Sequence, residues 1–266
     1  MDIGELVRQH YSGGDLAGGI LAALSAAGQD PASITVRDLA AVDQLHAGGP
    51  DATRHVFEQL SLGPTTRLLD VGSGIGGPAR LAADEFGCSV VGVDLSPDFV
   101  AAAERLSDLV GLSSSVRFLV ASGADTGLPD ASFDRASLIH VGMNIADKGA
   151  VFAEVRRLLV SGGVFGVYEQ MRIGPGDLTY PLPWAVDERS SFVASPDDYA
   201  RDLAAAGFRV VRQEPLTPAR GGPPSGGLDQ AAVFGPVFAK RIGNNLAAAR
   251  AGVLAPILIL AVAEAA

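Results

Sequence analysis

Short apolar runs alternate with helical stripes along most of the chain. Arg67–Val71, Ser89–Val93, Ser115–Val120, Phe133–Ile139 and Val164–Tyr168 have the length and apolar content of buried strands. Between them apolar positions recur three and four apart, as in Phe99, Ala103, Leu106 and Val110, and in Val151, Val155 and Leu158. Pro78–Phe86 also has helical character. Ser96 with Pro97, and Asp147 further on, supply helix starts. Strands alternating with helices at this spacing predict a parallel sheet covered on both faces. Downstream, Ser195–Pro196 opens a helix that ends at Gly207, and Phe208–Arg212 reads as a sixth strand. Ala231–Ala251 reads as a helix broken near Gly235–Pro236, and Leu254–Val262 as the seventh strand.

Two stretches depart from this rhythm. Asp2–Leu24 is helical in pieces, with Leu16, Ile20 and Leu24 in one stripe and Gly13, Gly14, Gly18 and Gly19 weakening it. Leu39, Val42 and Leu45 form a second stripe, and Asp51–Leu60 a helix leading into the first strand. Residues 1–60 are therefore expected to form a helical cap or lid, and 61–266 the α/β domain. Met171–Ser191 is rich in proline and glycine and carries Tyr180 and Trp184. Its length and aromatic content predict a substrate lid over 171–195. Arg220–Gly227 reads as a surface loop.

The most informative stretch is Arg67–Asp94. Gly72, Gly74, Gly76 and Gly77 crowd the turn between a strand and a helix, and Asp94 ends the next strand. Glycines there let a backbone approach a ligand, and the helix start presents amides to it. Asp94 can accept hydrogen bonds from two ribose hydroxyls. The stretch predicts an adenine-nucleoside cofactor. Gly72, Gly74 and Gly77 also satisfy the spacing G-x-G-x-x-G of dinucleotide sites. Against a nicotinamide enzyme stand Asp70, better suited to an ammonium than to a pyrophosphate, and the absence of a Tyr-x-x-x-Lys pair. Leu128-Pro129 followed by Ser132-Phe133-Asp134 points the same way.

These motifs together resemble the class I S-adenosylmethionine-dependent methyltransferases. LLDVGSGIGG is similar to their first motif, VVGVDLS to their second, and GLPDASFD and RRLLVSGG to later segments. The resemblance runs from about Tyr11 to the C-terminus. DQLHAGGPDATRHV, HVGMNIADK and YPLPWA resemble a bacterial small-molecule group, similar to sarcosine/dimethylglycine N-methyltransferases and more distantly to prenyl-diphosphate C-methyltransferases. The family fold implied is Rossmann-like, with sheet order 3-2-1-4-5-7-6 and an antiparallel seventh strand. The cofactor implied is S-adenosyl-L-methionine, leaving as S-adenosyl-L-homocysteine, in a cytoplasmic enzyme of secondary metabolism. The sequence departs from the family at the Leu-Pro loop, which lacks the usual phenylalanine, and at SGAD, where Asp125 stands near an acid's usual place.

On this reading Gly72, Gly74, Gly76, Asp70, Asp94 and Leu95 bind the cofactor, with Gly123, Ala124 and Asp125 near its adenine and Tyr11 closing over it. His140 and Glu169, each ending a strand, are the candidates for a base or for holding the acceptor, and His140 also borders the cofactor. His46, Met143, Asn144, Tyr180 and Trp184 are the candidate substrate contacts, with Asn144 placed to orient His140. Methyl transfer requires alignment and exclusion of water more than a fixed catalytic motif.

Composition narrows the partners. The chain has 266 residues, 48% of them apolar, and a net charge of −10, with Lys148 and Lys240 the only lysines. That excess of acid disfavours nucleic acid and anionic membranes. Cys88 is the only cysteine, so neither a disulfide framework nor a cysteine metal site is expected. A small-molecule substrate remains the expected partner, and a homodimer is possible. The alternatives left open are an NAD(P)-dependent oxidoreductase and a non-catalytic protein that binds the adenosyl cofactor.

Overall fold

The computed structural model describes residues 15–216 and 230–265. Tyr11, the first helical piece and the Arg220–Gly227 loop lie outside the described residues. The elements in order are α1 (Leu16–Ala26), α2 (Val36–Asp43), α3 (Gly49–Gln59), β1 (Arg67–Val71), α4 (Gly77–Phe86), β2 (Ser89–Asp94), α5 (Pro97–Leu109) and β3 (Val116–Val120). They continue with β4 (Phe133–Ile139), α6 (Lys148–Leu158), β5 (Leu159–Arg172), α7 (Pro196–Ala205), β6 (Phe208–Pro215), α8 (Gln230–Arg250) and β7 (Leu254–Ala263).

The seven strands form one sheet in the order β3-β2-β1-β4-β5-β7-β6. β1 to β5 pair in parallel, and β7 runs antiparallel to both β5 and β6. Successive side chains of a strand face opposite sides, and here both sides are core. Leu69, Val71, Phe165 and Val167 pack with Val151, Phe152 and Tyr199 of α6 and α7. Leu68 and Tyr168 pack on the other side with Val56 and Phe57 of α3 and Ala79 and Ala82 of α4. The cap is fastened to this second side: Leu16, Ile20, Leu39 and Val42 share a cluster with Phe99 and Leu106 of α5. Side-chain caps set the helix starts. The Ser96 hydroxyl accepts from the Phe99 amide at 3.3 Å, Asp147 from Ala150 at 3.0 Å, and Ser195 and Asp198 form a capping box.

Three boundaries differ from the pattern in the sequence. β5 runs through Ser161-Gly162-Gly163, where a turn was expected. Gly162 takes φ +77° and the pairing with β4 slips between Phe133 and Arg135, so the glycines make a bulge in the strand. β5 also extends to Arg172, which places Met171 in the sheet and shortens the wall segment that follows. α8 is continuous across Gly235–Pro236, because a proline removes one backbone bond from a helix without ending it when turns continue on both sides.

Candidate active site

The ends of β1, β2 and β4 meet at one edge of the sheet, next to the turn where the strand order reverses. The glycine turn leans on β2: the amides of Gly72 and Ser73 both donate to the Val93 carbonyl, at 2.8 and 3.0 Å. Gly72 adopts φ +71°, and a Cβ there would come within 2.4 Å of Val141. Gly74 also has positive φ, but open space lies where its side chain would be. The turn therefore offers bare backbone to a ligand. The Asp94 carboxylate accepts the Gly74 amide through Oδ2 and the Ser96 amide through Oδ1, each at 2.9 Å. A carboxylate oxygen has a second lone pair, so this still allows ribose hydroxyls to donate. Leu95, 74% exposed, is an apolar ledge beside it.

Asp70 sits within β1 and is buried. The Ser137 hydroxyl donates to its Oδ1 at 2.8 Å, whereas Oδ2 is buried without a partner. Burial, reinforced by the Asp94 charge, pushes its pKa up to about 6. A buried carboxylate oxygen without a partner is costly, and a cationic amine is its natural complement. The residues thus fit the methionine ammonium of an adenosyl cofactor. In the loop after β3, Ser122 and Asp125 form an isolated bridge. Ala124 and Asp125 are exposed, while Gly123 is half-buried, and a Cβ on it would approach Val71 at 2.9 Å.

On the cap side of β4 and β5, three rings converge. His140 follows β4 with φ +54°, and its amide donates to the Tyr168 carbonyl at 2.8 Å. Its ring centroid lies 4.9 Å from that of Tyr168 and 5.7 Å from that of His46. Tyr168 donates its hydroxyl to the Ala47 carbonyl at 3.0 Å. His46 Nδ1 lies 3.1 Å from the same carbonyl, a contact that requires the proton on Nδ1. Its Nε2 lies 2.8 Å from the Thr53 hydroxyl and 3.0 Å from Gln44 Oε1. Burial lowers the His46 pKa to about 4; burial and the neighbouring His46 hold His140 well below the usual value. His140 Nε2 is buried without a partner. The pair is therefore neutral near pH 7, and His140 offers an unused ring nitrogen.

Glu169 lies elsewhere. Being adjacent to Tyr168 on β5, it faces the opposite side of the sheet. Its Oε1 accepts the Val141 and Gly142 amides at 2.8 and 2.7 Å. Burial pushes its pKa up to about 8, against the pull of those amides and of Lys148. Glu169 therefore does not stand beside His140, with which the sequence pairs it as a candidate: its Oε1 is committed to the backbone after β4, and its Oε2 is buried without a partner. Asn144 is exposed and does not partner His140 Nε2, so the orienting role expected of it is also corrected. Met143 is 1% exposed and packs with Leu182, Trp184 and Ala248. Tyr180 borders that cluster, and Trp184 donates to the Ser191 hydroxyl at 3.0 Å. The segment after β5 is thus a packed wall.

The sequence reading missed Arg80 and Asp43, which form a fully buried ion pair at 2.8 Å. The signal was an arginine among the apolar positions Ala79, Leu81 and Ala82. Among the described residues no group of His, Cys, Asp and Glu could hold a metal ion, and no helix is long and apolar enough to cross a membrane.

The strand order, the reversed seventh strand and the acid-flanked glycine turn define the class I methyltransferase fold. Residues 69–167 match the family model described as a methyltransferase domain. The chain is 33% identical over 177 residues to phosphoethanolamine N-methyltransferase 1 of Arabidopsis thaliana, an alignment covering 65% of this chain and 35% of that protein. The chain thus spans about a third of that relative's length. Among solved structures, the [4+2]-cyclase SpnF superposes with a TM-score of 0.68 at 22% identity, covering 93% of this chain and 94% of that one. Geranyl diphosphate C-methyltransferase of Streptomyces coelicolor gives a TM-score of 0.65 at 20% identity, covering 80% and 77%. The fold is thus the class I methyltransferase fold, and residues 69–167 within it carry the match to a methyltransferase domain.

Proposed function

We propose that the protein transfers a methyl group from S-adenosyl-L-methionine to a small, uncharged or weakly polar acceptor. The observation that carries this is the buried, unpartnered Oδ2 of Asp70 beside the open backbone at Gly74 and the carboxylate of Asp94. The cofactor supplies a sulfonium methyl; in transfer the acceptor–carbon bond forms as the sulfur–carbon bond breaks, leaving a neutral thioether. The chain's own work is to hold and to shield. Asp70 takes the ammonium, Asp94 the ribose, and Leu95 with Gly123, Ala124 and Asp125 borders the adenine. His140 Nε2 accepts the proton of an acceptor hydroxyl or amine and borders the cofactor, while His46 backs its ring. Glu169 acts through the backbone at Val141 and Gly142, as a positioning residue. Met143, Tyr180 and Trp184 wall the acceptor side, the described part of the cap, 15–60, covers it, and the segment after β5, 173–195, closes it.

The His46–His140–Tyr168 cluster consists of neutral rings, which supports a weakly polar acceptor over a cationic amine. A cytoplasmic role in secondary metabolism belongs to the same proposal, supported by one buried free cysteine, Cys88, whose pKa burial pushes up to about 11. So does a homodimer through the exposed Ile173 and Phe192 at the ends of the wall segment, which gel filtration tests.

A second reading is supported by the likeness to a cyclase: the chain would bind the adenosyl cofactor without spending its methyl. A screen of hydroxyl, amine and activated-carbon acceptors with labelled methyl separates the two. Label in the acceptor and formation of S-adenosylhomocysteine support transfer; label that stays on a tightly bound cofactor supports the second reading.

A further inference from the structure

Arg80, in α4 just after the glycine turn, is fully buried and joins that turn to cap helix α2 and to α5. One terminal nitrogen donates to the Ile75 carbonyl of the turn itself at 2.7 Å and to Asp43 Oδ2, at the end of cap helix α2, at 2.8 Å. The other donates to the Ala103 carbonyl and the Ser107 hydroxyl of α5, the helix that follows Asp94, both at 3.2 Å. The contact between cap and turn is also steric. A Cβ on Gly77 would come within 2.3 Å of the Asp43 carbonyl oxygen, so the end of α2 rests directly on the start of α4.

The chain of polar contacts continues past Asp43. Its Oδ1 accepts from the Gln44 amide at 3.3 Å. The Thr53 hydroxyl then bridges two acceptors, Gln44 Oε1 at 2.7 Å and His46 Nε2 at 2.8 Å. His46 in turn faces His140. A buried pair of charges is weak evidence for stability, since apolar groups of similar volume often do as well. What such a pair supplies is a fixed geometry between the elements it joins.

We infer that the Arg80–Asp43 pair is a positioning device that ties the donor-binding turn to the cap histidine His46, so that filling the donor site resets the acceptor side. This rests on the proposed methyltransferase reading, and it assigns Arg80, Asp43 and Gln44 a role through other residues rather than contact with either ligand. Coupling of this kind needs a demonstrated response at the far site rather than spatial intermediacy.

The probe is S-adenosylhomocysteine, and the readouts are calorimetric binding and the imidazole proton signals of His46 by NMR. In the wild-type protein, binding shifts the His46 signals. In the paired apolar variant Arg80→Met with Asp43→Leu, S-adenosylhomocysteine still binds within about threefold of wild type, but the His46 signals no longer respond. Gln44→Leu, which leaves the ion pair intact, gives the same loss of response and serves where the paired variant does not fold. A merely structural pair would lower the melting temperature and leave the response in place. A His46 response that survives in the variants, or a wild-type protein that binds the ligand with His46 unmoved, overturns the inference while leaving the methyltransferase reading standing. Failure of the wild-type protein to bind S-adenosylhomocysteine overturns both.

Discussion

Asp94 holds the Gly74 amide at 2.9 Å, so the acid proposed to hold the ribose also shapes the turn proposed to meet the rest of the cofactor. Ser96 takes its other oxygen at the same distance. Asp94→Ala therefore removes two charge-assisted hydrogen bonds from the protein and the acceptor for the ribose. We expect affinity for S-adenosylhomocysteine to fall about 10- to 100-fold. Asp94→Asn, which keeps one acceptor oxygen, should lose less. Calorimetric titration of both variants checks the order.

Gly142 occupies a slot between Glu169 and Tyr199. A Cβ there would lie 2.3 Å from the Tyr199 hydroxyl and 3.2 Å from Glu169 Oε1. Gly142→Ala should cost about 1–3 kcal/mol by overpacking, several degrees in melting temperature. The clash is with an oxygen that has no partner of its own. Adding Tyr199→Phe should therefore recover much of the loss, and a double variant no more stable than Gly142→Ala would locate the strain elsewhere.

The pKa of Glu169 is raised in the folded chain to about 8. A carboxyl with a raised folded pKa contributes stability that is full below its unfolded pKa, about 4.5, and is lost as pH rises through the folded value. Glu169→Gln keeps an acceptor oxygen for the Val141 and Gly142 amides and does not titrate. Wild type should accordingly lose melting temperature relative to Glu169→Gln between about pH 4.5 and 8. A difference that stays flat across this window contradicts the assignment.

His46 carries the opposite sign. Its folded pKa is about 4, below the usual 6.5. The unfolded chain takes up the proton first, so stability is full above 6.5 and lost as pH falls toward 4. His140 shifts in the same direction. His46→Gln, at a site already holding an amide neighbour, should blunt the acid sensitivity over that range, as read by melting temperature at a series of pH values. An unchanged acid limb would mean that His46 is not buried neutral.

The parallel core of the fold was legible because its signals are local. Gly72 to Gly77, Asp94 and the Ser96-Pro97 helix start each declare themselves within a few residues, and the strand order followed from a family resemblance that the topology bears out. What sequence could not show is which side of a strand a residue serves when both sides are core. Tyr168 and Glu169 are neighbours in the chain, yet the first joins the histidine pair and the second anchors the loop under α7. Alternation would separate them, but nothing in an apolar run says which face meets the cleft. Arg80 stands out only as an arginine among apolar positions, and its pairing with Asp43 was not legible because the two lie far apart in sequence. The glycines at 162 and 163 read as a turn because a bulge and a turn use the same residues.

The central claim is that Asp70, the open turn at Gly74 and Asp94 form a site for an adenosyl sulfonium and not for a dinucleotide. Calorimetric titration of the wild-type protein with S-adenosylhomocysteine and, separately, with NADH and NADPH tests it directly. The account predicts saturable one-to-one binding of S-adenosylhomocysteine, weakened in Asp70→Asn, with no heat from either nicotinamide. Binding of a nicotinamide with S-adenosylhomocysteine inert would contradict it.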